Sequence, residues 1–120
     1  MKVAVASEGL TLKSQMHPYF GRARCFLIVD TDSGTFTTYD NTENLHSVHT
    51  AGMQAAGNII SLGVNAVITR SIGPKAFATL EAGNVKVYTT ESGTVADVIE
   101  DLKSGRLQPA RKANVQDHRE

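Results

Sequence analysis

The sequence predicts a single α/β domain: a mixed β-sheet flanked by helices, with elements in the order β-β-β-α-β-α-β-α. Three observations predict it. Short apolar or β-branched runs are bounded by Gly, Ser, Asp and Thr, the pattern of strands closed by turns. Apolar residues recur at helical spacing in three later segments, each followed by a glycine. Strand and helix patterns alternate from Val64 to Tyr88, which calls for parallel pairing through right-handed crossovers. The 120 residues, 41% of them hydrophobic, are about the usual size of one domain with one core.

Lys2 to Ala6 is the first strand, rich in Val and closed by Ser7-Glu8-Gly9. Leu10 to Gly21 contains Pro18, has no clear period and reads as a long loop, a kind of segment that often carries function. Cys25-Phe26-Leu27-Ile28-Val29-Asp30 is a continuous apolar run, the mark of a strand buried on both faces. Thr31-Asp32-Ser33-Gly34 is turn chemistry, and Thr35 to Asp40 alternates with β-branched and aromatic residues, so the two runs form a hairpin. Asn41 to Val48 is polar and irregular.

A helix is expected from Thr50, with Met53, Ala56, Ile60 and Leu62 at mostly helical spacing and Gly63 as its stop. Its small residues Gly52, Ala55, Ala56 and Gly57 let it lie close on a sheet. Val64 to Thr69 is a buried strand. Pro74 stands near the first position of the next helix, where its missing N–H costs nothing, and Gly83 ends that helix. Val85 to Tyr88 is a short strand. Thr94 caps a last helix, with Asp97 three residues on as an imperfect capping box and Gly105 as its end. The domain is taken as residues 1–107, with 108–120 a polar C-terminal tail read as solvated.

Lys plus Arg equals Asp plus Glu, so the formal charge is zero. Nucleic-acid binders usually carry a basic excess, which argues against that class. No run approaches the ~18 apolar residues of a membrane span, and the first apolar stretch is too short for a signal peptide. A single cysteine excludes an intrachain disulfide and a Cys-based structural zinc site, and fits a reducing, cytoplasmic setting. The sequence sets no oligomeric state.

Ligands of open α/β sheets bind beyond the carboxyl ends of the parallel strands. Ser7 to Gly21, Thr69 to Pro74 and Thr89 to Thr94 converge there, with Asn41 to Thr50 a fourth candidate segment. Helix starts add N–H groups and a positive dipole end, and Arg22, Arg24, Arg70 and Lys75 lie in or beside these segments. The combination points to an anionic ligand; surface charge beside ordinary caps is the other reading. His17, His46 and His49 fall in loops near the same edge, and the His46-Ser47-Val48-His49 spacing suits two imidazoles on one metal, or two solvated side chains. Cys25 opens a buried strand, where an inert thiol is common, although Arg22 and Arg24 would favour a thiolate ligand or nucleophile. No nucleophile elbow, P-loop or dinucleotide fingerprint occurs, and the first strand carries no acid.

Phe20-Gly21-Arg22-Ala23, followed by Phe26 and a buried strand, resembles the Phe-Gly-His/Arg-Ala signature of the dinitrogenase iron–molybdenum cofactor biosynthesis family. A second similar block runs from Gly63 to Ala76, and a third from Gly83 through Tyr88 to the last helix. The resemblance covers roughly residues 1–107. It implies a ribonuclease H-like mixed sheet without that superfamily's nuclease acids. It also implies a non-catalytic protein that binds or carries an anionic metal–sulfur cluster containing molybdenum with iron or copper. Nitrogenase carriers of the NifX type, and the NifB C-terminal domain, belong to the family. Carriers have a histidine after Phe-Gly; here the position is Arg22, as in the orange-protein-like subgroup. Arginine does not ligate metal in the usual way, but it neutralises a sulfido or oxo cluster through charge-assisted hydrogen bonds.

The leading expectation is therefore a cluster carrier, with cluster donor or acceptor proteins as partners. Arg22, Arg70, Ser71, Gly73 and Lys75 would bind the cofactor, and His17, His46, His49 and, less readily, Cys25 are the metal-ligand candidates. An interaction or regulatory module without a cluster is the alternative. A hydrolase using Asp30 or Asp40 is a third reading, weakened by the bare first strand.

Overall fold

Every residue of β1 (Lys2–Ser7) after the first is buried, and this strand takes the centre of a five-stranded sheet of order β3-β2-β1-β4-β5. The computed structural model describes residues 1–46 and 50–116, and only the backbone of residues 44 and 46. β2 (Cys25–Asp30) runs antiparallel to β1, with Lys2 opposite Asp30 and Ser7 opposite Cys25. β3 (Phe36–Asp40) runs antiparallel to β2. Their turn closes when Gly34, at a φ of +77° that favours glycine, donates its N–H to the Asp30 carbonyl at 2.8 Å. β4 (Ala66–Thr69) is parallel to β1, and β5 (Lys86–Thr89) is parallel to β4.

Between the strands lie α1 (Ala51–Ser61) and α2 (Pro74–Ala82), and α3 (Val95–Lys103) follows β5. A short 3₁₀ turn, Thr42–His46, stands between β3 and α1, in the stretch that reads as irregular in the sequence. The order across the sheet differs from the order along the chain, because the first strand is central and later strands add on both sides.

Strand alternation divides the core in two. Ala4, Ala6, Phe26, Ile28 and Val67 face α1 and α2, where Ala55, Ala56, Ile59, Ala76 and Leu80 pack on them. Val3, Val5, Leu27, Val29 and Ile68 face α3, covered by Val95, Val98 and Ile99. Small residues in the centre of β1 let two helices share one face, and bulkier valines meet the single helix opposite. Each fully buried Leu, Ile or Val removes about 1.5–3 kcal/mol of apolar exposure, so both faces contribute to stability.

The helix ends follow their residues. Leu62 caps α1 and the next residue, Gly63, takes φ +76°. Gly83 caps α2 at φ −88°, and it is Asn84 that takes the left-handed conformation at φ +61°. Asparagine tolerates that region better than most residues, so the glycine marks this end one residue early. Thr94 and Asp97 form a complete capping box at α3, with the Asp97 N–H donating to Thr94 Oγ1 at 3.1 Å and the Thr94 N–H donating to Asp97 Oδ2 at 3.2 Å.

Beyond α3 the chain turns back onto β5. Pro109 bridges to Tyr88, and the Ala110 N–H donates to the Val87 carbonyl at 2.7 Å. Asn114 reaches the segment after β4: Ile72 N–H donates to its Oδ1 at 2.8 Å, and its Nδ2 donates to the Arg70 carbonyl at 2.8 Å. Ala110 and Ala113 pack against the larger core cluster. The stretch from 109 to 115 is thus docked through Pro109, Ala110, Ala113 and Asn114, while Pro109, Arg111, Lys112 and Asn114 remain solvent-exposed: the free carbonyls of an edge strand and an unpaired loop gave it partners that its polar composition does not reveal.

Candidate functional site

One edge of the sheet gathers the segments with chemical potential. Because β1, β4 and β5 are parallel and β3 is twice antiparallel to β1, the strands end together at Ser7, Asp40, Thr69 and Thr89, while β2 begins there at Cys25. The long loop from 8 to 24 is tied along this edge by backbone bonds. His17 N–H donates to the Ala6 carbonyl at 2.9 Å, Met16 N–H to Gly93 at 2.9 Å, and Phe20 N–H to Ser71 at 3.0 Å, while Ser71 N–H returns a bond to Pro18 at 2.9 Å. Loop residues therefore touch both the β4–α2 and the β5–α3 connections.

The Phe20-Gly21-Arg22-Ala23 segment is anchored from several sides. Phe20 is fully buried and tilts against Phe26 with ring centroids 5.1 Å apart. Gly21 lies so close to the start of α1 that a Cβ there would stand 2.6 Å from Gly52 N and 2.7 Å from its Cα. Buried Asn41 donates through Nδ2 to the Ala23 carbonyl at 2.8 Å and to Gly21 at 3.4 Å. Arg22 is half-buried, and its Nη1 donates to the Leu45 carbonyl at 3.3 Å, which links the segment to the 3₁₀ turn.

His17 is half-buried beside these groups. Its Nδ1 lies 3.0 Å from both the N–H and the carbonyl of Tyr19. Either tautomer therefore finds a partner. If Nδ1–H donates to the carbonyl, the Nε2 lone pair is left for a metal, the backbone-oriented arrangement common among ligating histidines. Burial lowers the imidazole pKa, outweighing the Tyr19 hydrogen bond and the Glu8 charge that raise it. The neutral form, the one that ligates, is favoured.

Arg70 is exposed, with Nε 3.9 Å from the Glu91 carboxylate. Ser71 is half-buried and also accepts from Thr69 Oγ1 at 3.3 Å. Gly73 is the N-cap of α2 and has no side chain to occupy its first turn; Lys75 follows Pro74 on the exposed side. His17, Arg22, Arg70, Ser71, Gly73 and Lys75 thus belong to one edge or to the segments leaving it. His46 closes the 3₁₀ turn, with its side chain outside the described residues. His49 also lies outside them.

Cys25 is buried, and its thiol donates to the Gly9 carbonyl at 3.1 Å. Burial pushes its pKa up, Asp40 adds to the rise, and the lowering from Arg24 is the smallest contribution. The thiol is therefore held protonated, against the direction that the neighbouring arginines lead one to expect. Cys25 forms part of a cavity of about 400 Å³ with Glu8, Arg24 and Asp40. Asp30 and Asp40 sit at opposite edges of the sheet, and each carboxylate is a turn acceptor: Asp30 for the N–H groups of Asp32 and Ser33, Asp40 for the N–H and hydroxyl of Thr42. Among the described residues no three His, Cys, Asp or Glu side chains gather to hold one metal ion.

Three participants are absent from the sequence-based set. Asn41 fixes the signature carbonyls, Asn114 fixes the backbone of Arg70 and Ile72, and Arg106 lines a second cavity, of about 500 Å³, with Arg70. The signal for Asn41 is a polar residue ending a strand just before a helical turn; the other two lie past the last helix, where no periodicity marks them.

Among the described residues no helix is long and apolar enough to cross a membrane. The family model described as dinitrogenase iron-molybdenum cofactor matches residues 1–105. An uncharacterised protein of Methanocaldococcus jannaschii is 29% identical over 110 residues, covering 90% of each chain. The apo orange protein of Desulfovibrio gigas superposes with a TM-score of 0.92 at 32% identity, over 95% of this chain and 96% of that one. A Thermotoga protein described as a NifB candidate superposes with a TM-score of 0.83 at 36% identity, over 95% and 97% of the two chains. The match over residues 1–105 and this pair of structural relatives agree, and the chain belongs to the dinitrogenase iron-molybdenum cofactor family.

Proposed function

We propose that this protein binds an anionic metal–sulfur cluster, containing molybdenum with iron or copper, and carries it between a donor and an acceptor protein without chemical turnover. The observation that carries the reading is the convergence of His17, Arg22 and Arg70 on one sheet edge through the bonds that tie Pro18 and Phe20 to Ser71. Guanidinium groups at the rim and the first turn of α2 at Gly73 and Lys75 supply positive potential and N–H donors suited to sulfido or oxo ligands. His17 offers a neutral imidazole as a single direct ligand. His46 and His49 remain candidate ligands from the neighbouring segment, and Cys25, protonated and bonded to Gly9, is left out of the set. The guanidinium groups and N–H donors at this edge suit a preformed anionic cluster held mainly by charge. The same reading takes the sheet as ribonuclease H-like.

The test is titration of the purified protein with tetrathiomolybdate and copper, and separately with an iron–molybdenum cluster, followed by visible absorption and elemental analysis after desalting. A stoichiometric coloured complex is expected, weakened by Arg22→Ala and by His17→Ala. No retained metal from either source overturns the proposal and leaves an interaction module as the remaining reading of the fold.

A further inference from the structure

We infer that this chain carries a second anion site, for a tetrahedral oxyanion group, between Arg70 and Arg106 beneath the docked C-terminal segment. The cavity there measures about 500 Å³ and opens beyond the ends of β4 and β5. It is lined by Arg70 and Arg106, by the polar residues Thr89, Thr90 and Gln108, and by one acid, Glu91. The lining holds two arginines against one carboxylate, with Asp101 just outside it paired to Arg106, and this donor-rich set matches an oxyanion's acceptor-only surface.

The two arginines are held differently. Arg106 is fixed by Asp101, with Nη1 2.9 Å from Oδ1, a bond that uses only one of its five donors. Arg70 lies 3.9 Å from Glu91, beyond hydrogen-bond length, and the Glu91 side chain is 94% exposed. Such a pair is weak and readily displaced by a better acceptor. Asn114 grips the Arg70 carbonyl and the Ile72 N–H at 2.8 Å each, so the wall facing Arg70 is built by the same segment that brings Gln108. Arg106, Gln108 and Asn114 all lie past residue 105, where the family match ends. The pocket shares Arg70 with the proposed cluster edge, and Arg106 and Gln108 are the lining residues that set it apart from that edge.

The volume lies within the range of small-molecule pockets and exceeds what a free oxyanion needs. The oxyanion group therefore arrives either free, as molybdate, sulfate or phosphate, or as the phosphate of a larger ligand such as a nucleotide. Calorimetric titration of the full chain with molybdate, phosphate and adenosine monophosphate, followed by amide NMR, separates the two sources. Tighter binding of the nucleotide assigns the larger ligand; equal or tighter binding of the free anions assigns those. In either case Arg106→Ala is expected to weaken binding by about tenfold or more, the scale of one lost charge-assisted bond. Arg106→Lys should fall between, because it keeps the charge and loses the fork. Glu91→Gln should tighten binding by removing the competing carboxylate. No saturable binding of any probe overturns the inference, as does wild-type affinity in folded Arg106→Ala. If Arg106→Ala does not fold, unchanged affinity in Glu91→Gln overturns it. Metal retention by Arg106→Ala in the cluster titration separates this site from the cluster reading.

Discussion

At Gly21 the family signature meets the fold. A side chain there would enter the backbone of Gly52, and backbone cannot swing aside as a long side chain can. Gly21→Ala is therefore expected to destabilise the protein by about 1–3 kcal/mol, the usual cost of overpacking, and to move Arg22 with the displaced loop. Urea denaturation measures the first effect; an unchanged midpoint would refute the close approach. Cys25 makes a second residue-scale prediction. Its folded pKa is raised above the ordinary 9.0, so the protonated thiol favours the native state. That contribution is intact below pH 9.0, and it is lost as pH rises from there through the higher folded value. Alkylation at neutral pH should be slow in the native protein and fast in denaturant; equal rates would mean an accessible, ordinary thiol.

At the scale of elements, α3 is the single helix on one face of the sheet, where Met16 and Leu12 of the long loop also pack, and its start depends on Thr94. Thr94→Ala removes the bond from the Asp97 N–H and is expected to cost about 1 kcal/mol, seen as a lower urea midpoint at unchanged slope. A normal midpoint would make the box dispensable. The box is readable in the sequence because its partners are three residues apart. The β2–β3 hairpin and the three helices are readable for the same reason: each is written in local spacing. The central place of β1 is written only in its burial, since nothing local says which strands will flank it. The site follows the same rule. His17, Arg22 and Arg70 sit at strand ends or the loops they bound, so topology places them. Asn41 and Asn114 act on carbonyls 18 and 44 residues away and leave no local pattern. Sequence leaves both an inert thiol and an arginine-favoured thiolate open for Cys25, and its pKa answers to burial before it answers to Arg24.

For the whole molecule, the C-terminal segment links β5 to the connection after β4. Ending the chain at Leu107 removes the Ala110 bond to Val87 and all the Asn114 bonds to Arg70 and Ile72. At about 1 kcal/mol net for each bond, offset by the freedom returned to the segment, the expected loss is about 1–3 kcal/mol. Equal stability of the shortened and full chains would mean that the docking adds nothing net. The long loop from 8 to 24 has a different consequence. Bonded to β1, to Gly93 and to Ser71 in the free protein, it has little conformational entropy left to lose on binding a ligand. In the proposed carrier role, loading therefore needs no loop closure, and this loop incurs little of the ordering cost that weakens binders whose loops must first be immobilised. In that same proposed role, release likewise needs no gate to open, so an acceptor would take the cluster directly from a rim that is already in place.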